Sequence, residues 1–231
     1  MKEARLYEKL ENRAVKCATC THRCVIQDGK RGICGVRENR GGDLYSLVYG
    51  RPISQAVDPI EKKPLFHFHP GTTAFSVATV GCNFHCLFCQ NADISQMPRE
   101  SGRILGRETT PEEVAKAAQQ HQCRSIAYTY TEPTVFFDYT YDVALLARQE
   151  GIANVYVTNG YMTPEVLRAF AEAGGDHGSL LDAANVDIKA FSDEFYRHQC
   201  GARLQPVLDS LILMKEQGVW VELTTLVIPG I

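Results

Sequence analysis

From residue 73 onward the chain alternates between two textures, and this alternation constrains the fold more than any other feature. TAFSVATV reads as a buried strand and TPEEVAKAAQQH as a helix, with Thr110 as N-cap, Pro111 in the first helical position and Glu113 closing a capping box. SIAYTY is then strand, TVFFDYTYDVALLARQEG helix ending at Gly151, NVYVTN strand, TPEVLRAFAEAGG helix, AANVDIKAF strand, ARLQPVLDSLILMKEQG helix and VWVELTTLVI strand. Five strands separated by helices imply parallel pairing through right-handed crossovers, as an open sheet or a barrel. Both architectures gather ligands beyond the carboxyl ends of their strands. The polar segments fall at those ends: GCNFHCLFC, TEP, TNG, DIK and IPG after the first to fifth strands. The expected fold is therefore α/β, a partial (β/α) barrel whose sequence stops at Ile231, directly after a strand, one or more strand and helix pairs short of closure.

Residues 1 to 72 lack that rhythm. A short helix is expected at about 3 to 13 and a hairpin in DLYSLVYGRPISQAV, with Gly41, Gly42, Pro52, Pro59, Pro64 and Pro70 as punctuation. The predicted division is a small, Cys-rich, loop-rich module over 1-72 and the partial barrel over 73-231. A net charge of -3 gives no reason to expect nucleic acid or an anionic membrane as partner. MKEARLYEKLENRAVK has no apolar secretion core, and no run approaches the length of a membrane span. Seven of the nine cysteines fall in two tight clusters. Without an export signal, that pattern points to a reducing, cytoplasmic setting and to metal rather than disulfides.

Cys82, Cys86 and Cys89 form Cys-x3-Cys-x2-Cys. Three readings compete. Their offsets match one helical face, so they could be a buried stripe, although Gly81 and Asn83 suit a loop better. Structural zinc wants four ligands, and His85 could supply the fourth to an unusual spacing. Three thiolates on a loop could also hold three irons of a four-iron, four-sulfur cluster and leave one iron open to chemistry. Cys17, Cys20, Cys24 and Cys34, interleaved with His22, supply a full set of four thiolates for zinc or for a second iron-sulfur cluster, and spacing does not choose between them. Metal would help a module so poor in apolar residues to fold.

The three-cysteine motif, with Phe88 just before its last cysteine and a first barrel strand before it, resembles the signature of radical S-adenosylmethionine (radical SAM) enzymes. CATCTHRCVIQDGKRGICGVREN, YGRPISQAVDPIEKKPLFHFHPG, YTYTEP, VTNGY, NVDIKAF, YRHQCGARL and ELTTLVIPG extend the likeness over residues 17 to 230. Together they resemble the AmmeMemoRadiSam-system radical enzymes, relatives of the pyruvate formate-lyase-activating enzymes. The resemblance implies that Cys82, Cys86 and Cys89 ligate a 4Fe-4S cluster whose open iron is chelated by S-adenosyl-L-methionine. One electron then cleaves that cofactor to methionine and a 5'-deoxyadenosyl radical. Phe88 would pack beside the adenine. Glu132 and Pro133 match the end of a Gly-Gly-Glu-Pro segment that contacts the cofactor's amino group, with Thr131 in place of a glycine. Thr158, Asn159, Asp187 and Lys189 match segments that hold the cofactor's carboxylate and a monovalent cation, with Lys189 pairing the carboxylate, Thr158 and Asp187 lining the cation site, and Val157 where those enzymes carry aspartate. The implied partners are an electron donor such as flavodoxin or ferredoxin and, by genomic association, AMMECR1-like and Memo-like proteins.

Each of these residues also has a plain structural reading: Glu132 as a helix-start acid, Thr158-Asn159-Gly160 as a strand-ending turn, Asp187 and Lys189 as an ion pair. His67 and His69 read as structural or as metal and proton ligands. Cys123 reads as a helix-end core residue, and Cys200 as a thiol near the open face, able to quench or relay a radical. The leading function is hydrogen abstraction by a radical enzyme, acting on a small molecule or activating a glycyl-radical partner. The rival from another class is a non-catalytic zinc module.

Overall fold

The computed structural model describes residues 1 to 230; Ile231 lies outside the described residues. Six strands form the main sheet: β1 (Ser54–Pro59), β2 (Thr73–Ala78), β3 (Ser125–Tyr128), β4 (Ala153–Thr158), β5 (Ala183–Asp187) and β6 (Trp220–Thr224). They lie side by side in chain order. Strands β2 to β6 run parallel, while β1 pairs antiparallel with β2. The sheet is open among the described residues, so the expected barrel is present as an α/β layer with a mostly parallel sheet.

Helices α1 (Pro111–Gln120), α2 (Phe137–Gln149), α3 (Pro164–Gly174) and α4 (Gln205–Glu216) make the crossovers. Thr110 and Glu113 close the capping box that the sequence predicts. Strand parity divides the core. Phe75, Val77, Ile126, Tyr128, Tyr156 and Val186 face the helices and join Phe137, Phe170 and Val207. Each such buried side chain contributes roughly 1.5 to 3 kcal/mol, before ordering costs. Ala74, Ala127, Val155 and Ala183 face the other way, beneath Ile60, Leu65 and Phe68 of the segment that follows β1. Cys123 is buried in the helix-facing core, as expected. His67 lies on Glu222, and His69 stacks on Phe68.

The N-terminal region departs from expectation twice. No helix spans 3 to 13. Lys2–Glu3 and Tyr7–Lys9 are short strands and Glu11–Arg13 is a single 3-10 turn, with Asn12 at φ 55 and Arg13 at φ 58. Pairing overrides local propensity here, because Tyr7–Lys9 pairs with Val15–Cys17 and Lys2 opposes Ser46. A small core of Ala4, Val15, Cys17, Ile26 and Leu44 rewards that arrangement. The expected hairpin in 43 to 57 does not form either. Asp43–Ser46 pairs with Arg37–Arg40, whereas Ser54–Pro59 leaves to become β1 of the main sheet. Among the described residues, no helix is long and apolar enough to cross a membrane.

Candidate active site

The cysteine loop begins with a close approach. Gly81 has φ +104, and a Cβ there would stand 2.5 Å from a Val36 methyl, so only glycine turns the chain out of β2 beneath the N-terminal region. Cys82, Cys86 and Cys89 follow as half-buried free thiols in irregular backbone at the carboxyl edge of the sheet. A helical stripe is thereby excluded. Among the described residues, no three His, Cys, Asp or Glu side chains converge closely enough to hold a single metal ion.

Neighbouring strand ends reach the loop. The Cys82 sulfur accepts from Phe84 N–H at 3.4 Å and from the Asn159 side-chain amide at 3.9 Å. The Asn159 amide also donates to Asn83 Oδ1 at 2.7 Å, and Asn159 N–H donates to Glu132 at 2.8 Å. One chain of bonds thus ties together the segments after β2, β3 and β4. Glu132 is 2% exposed and accepts from Thr134 N–H, the Thr134 hydroxyl and the Thr158 hydroxyl on one oxygen, and from Asn159 N–H on the other. Burial pushes its carboxyl upward, against these donors. The second oxygen, Oε2, retains acceptor capacity for one further donor. Glu132 is also the N-cap of the 3-10 turn Pro133–Phe136, so its structural role is real and leaves this oxygen spare. The left-handed residue of this turn is Tyr130, at φ 63; Thr131 needs no glycine geometry and donates its hydroxyl to Thr79 O at 2.7 Å.

Asp187 and Lys189 form an ion pair at 2.6 Å at the end of β5. Burial opposes the Lys189 charge, but Asp187 and the nearby Cys86 and Cys82 raise its pKa overall. By strand alternation Thr158 and Asp187 leave opposite faces of the sheet. Thr158 stands opposite Val186 in the β4 and β5 register, so successive Asp187 points to the other face. Val157 sits on that other face, opposite Asn185. Phe88 is half-buried against Phe195, with ring centres 5.8 Å apart.

Four contributors have roles that the motif alone does not reveal. Cys200 is buried at the end of the π-helical turn Tyr196–Cys200, and its contact with Cys86 pulls the Cys86 thiol below its ordinary value. The backbone joins the same two segments through His85 N–H to Cys200 O and Leu87 N–H to Gln199 O. Gly201, at φ +68, lies so close to the His85 ring that a Cβ would fall 1.7 Å from it. Ser95 stands 3.5 Å from the Cys89 sulfur. Asn83 is fully buried beside Cys82, and its Nδ2 has no hydrogen-bond partner. An unpaired buried amide costs about 1 to 3 kcal/mol, so a thiolate or sulfide acceptor at this point would satisfy it. Three thiols, an unpaired amide donor and a lysine fit an anionic iron-sulfur group.

The other four cysteines line one small cavity. Cys17 is buried and Cys20, Cys24 and Cys34 are half-buried, all as free thiols. Burial pushes the Cys34 thiol up to about 11 and also raises Cys20 and Cys24, with the neighbouring cysteines adding to each. Their loop is clamped to the main body. His22 meets the Asn83 carbonyl at 2.8 Å and packs on Tyr161, Thr163 donates to Ala18 O at 2.7 Å, and Arg23 makes a two-pronged pair with Glu165.

The sequence profile of the Radical SAM superfamily matches residues 76 to 231. Protein MJ0808 of Methanocaldococcus jannaschii is 48% identical over 230 residues, covering 100% of this chain and 66% of its own length. From the same organism, a putative glycyl-radical enzyme activating enzyme, MJ1632, is 23% identical over 160 residues, covering 68% and 56%. The chain thus spans slightly less than two thirds of the first of these relatives and about half of the second. Streptococcus suis SuiB, solved bound to S-adenosylmethionine, superposes with a TM-score of 0.46 and 13% identity over 64% of this chain and 30% of its own. With its cysteine loop at the head of a parallel sheet and the profile matched from β2 onward, the chain belongs to the Radical SAM superfamily.

Proposed function

We propose that this protein binds a 4Fe-4S cluster through Cys82, Cys86 and Cys89 and S-adenosyl-L-methionine beside it, and that it abstracts hydrogen from a substrate. The observation that carries this reading is the bonded chain from Cys82 through Asn159 to Glu132, which places three strand ends around one loop. When bound, the reduced cluster supplies the electron that cleaves S-adenosyl-L-methionine to methionine and a 5'-deoxyadenosyl radical. The chain's own residues bind and orient. Glu132 Oε2 would accept from the cofactor's ammonium, and Lys189, already cationic beside Asp187, would face its carboxylate. Phe88 would cover the adenine, while Asn83 and Asn159 would donate to sulfur and so stabilise the added negative charge on reduction. Thr158 fixes the Glu132 carboxylate from the helix side and is a positioning residue. An external donor of the flavodoxin or ferredoxin kind would deliver the electron.

The likeness to the activating-enzyme relative favours a second reading, in which the substrate is a glycyl-radical partner protein. The quoted motifs support placement in the AmmeMemoRadiSam group, with AMMECR1-like and Memo-like proteins as candidate partners. The test is anaerobic reconstitution with iron and sulfide. A brown protein that releases 5'-deoxyadenosine from S-adenosyl-L-methionine with dithionite supports the proposal; a colourless zinc protein inert in this assay overturns it in favour of the zinc module.

A further inference from the structure

A buried arginine in the N-terminal region is only partly used. Arg37 is 2% exposed, and its Nη2 donates to Asp138 on α2 at 2.6 Å. Asp138 is fully buried, and its other oxygen accepts from Arg5 N–H at 2.7 Å. Arg37 Nε and Nη1 have no partner at all. Two unpaired guanidinium nitrogens at full burial are costly, by about 1 to 3 kcal/mol each. Arg37 also lines the cavity that Cys17, Cys20, Cys24 and Cys34 surround, whose remaining wall includes Ile26 and Val135. The unpaired donors and the four thiols therefore share one space. A water there would find few polar partners besides the arginine, whereas an anionic sulfur group would accept both donors.

From this we infer that the four cysteines hold an iron-sulfur cluster of their own, with Arg37 as its buried hydrogen-bond donor. The space that the four cysteines line favours iron-sulfur over zinc. Four sulfurs bound to zinc at about 2.3 Å crowd within about 4 Å of one another and enclose nothing. Here the four cysteines surround a cavity of about 10 Å³, room for one water-sized sphere, while no three metal-binding side chains among the described residues close on a single point. Ligand sulfurs around an inorganic iron-sulfur core leave room of this kind between them. Charge agrees, because Arg37 and Asp138 cancel and leave the two extra N–H dipoles to a cluster that is negative overall. Thr134 and Val135 line the same cavity and follow Glu132 and Pro133, so the second cluster would brace the segment that the proposed function assigns to cofactor binding.

The test is made on the full chain, reconstituted anaerobically. In the triple variant Cys82→Ala/Cys86→Ala/Cys89→Ala, about half of the wild-type iron should remain, with a Mössbauer or EPR signal that S-adenosyl-L-methionine does not perturb; adding Cys20→Ser should remove it. Stoichiometric zinc in place of that iron, or folded triple variant holding no metal, overturns the inference. Wild-type protein provides the check that needs no cysteine variant, since it should contain two clusters rather than one. Arg37→Lys keeps the charge beside Asp138 but loses the fork. The midpoint potential of the cluster in this variant should move to more negative values, and an unchanged potential overturns the assignment of Arg37 as donor. The metal that the triple variant binds and loses with Cys20→Ser decides the inference without the first cluster or cofactor cleavage, so the inference and the proposed function fail separately.

Discussion

The two cysteine clusters both reach the segments that follow β3 and β4 yet differ in their surroundings. Cys82, Cys86 and Cys89 occupy a half-buried loop beside an open groove of about 890 Å³ that His85, Cys86, Leu87 and Gly201 help to line. Cys17, Cys20, Cys24 and Cys34 enclose a small cavity with an arginine at its wall. The first set offers three thiols beside an open groove; the second offers four around a small cavity, with only Cys17 fully buried. Ligand count and access, more than cysteine content, separate a reactive centre from a stabilising one.

The strongest way to break this comparison is to remove one cysteine from each side. Cys86→Ala should abolish reductive cleavage, by more than about a hundredfold in 5'-deoxyadenosine formed, with the fold kept, since no single ligand position there carries the core. Cys17→Ala should instead lower metal content and thermal stability, because Cys17 belongs to the small core with Val15 and Leu44. Equal loss of cleavage at equal stability in the two variants would remove the distinction. Next in size is Arg37→Met. Stranding Asp138 without its partner at full burial should cost about 3 to 5 kcal/mol in denaturant unfolding. A loss below about 1 kcal/mol would show that Asp138 is not held as a charge.

The division between the clusters is partly legible in the amino-acid sequence. Strand and helix alternation places TEP, TNG and DIK at the same edge as the cysteine loop, because parity and crossover handedness are properties of the local pattern. Asn83 is not legible there, since its significance is an amide without a partner, which only packing reveals. Arg37 and Asp138 are 101 residues apart in sequence, and nothing local marks them as a pair. The same limit explains the missing N-terminal helix. KEARLYEKLENR has acceptable helix residues, but its pairing partners at 15 to 17 and at 46 lie beyond any helical window.

A finer comparison concerns the loop that carries Cys86. In Gly201→Ala, the new methyl would meet the His85 ring at 1.7 Å in a backbone conformation that already disfavours it. We expect about 1 to 3 kcal/mol of destabilisation and a loop displaced from Cys200. Cleavage should fall several-fold while the iron retained by the N-terminal cysteines stays constant. Loss of both together would mean that the clusters share one folding unit.

The smallest effect expected is a dependence on acid in the clamp between the two regions. Arg23 holds the Glu165 carboxyl below its ordinary value of 4.5, first through its hydrogen bonds and then through its charge. A carboxyl with a depressed folded pKa stabilises the folded state above its unfolded value, and that contribution disappears as pH falls through the folded value. Both side chains are about a third exposed, at 34% and 31%, so solvent screens the pair and the energy is modest. Acidification from neutral pH to below about 4.5 should therefore increase hydrogen exchange in residues 17 to 24 before it does so in β3 and β4. Glu165→Gln should flatten that pH dependence and leave cleavage at neutral pH unchanged. If the wild-type exchange profile shows no step over this range, then His22 on the Asn83 carbonyl and Thr163 on Ala18 hold the region without help from the ion pair.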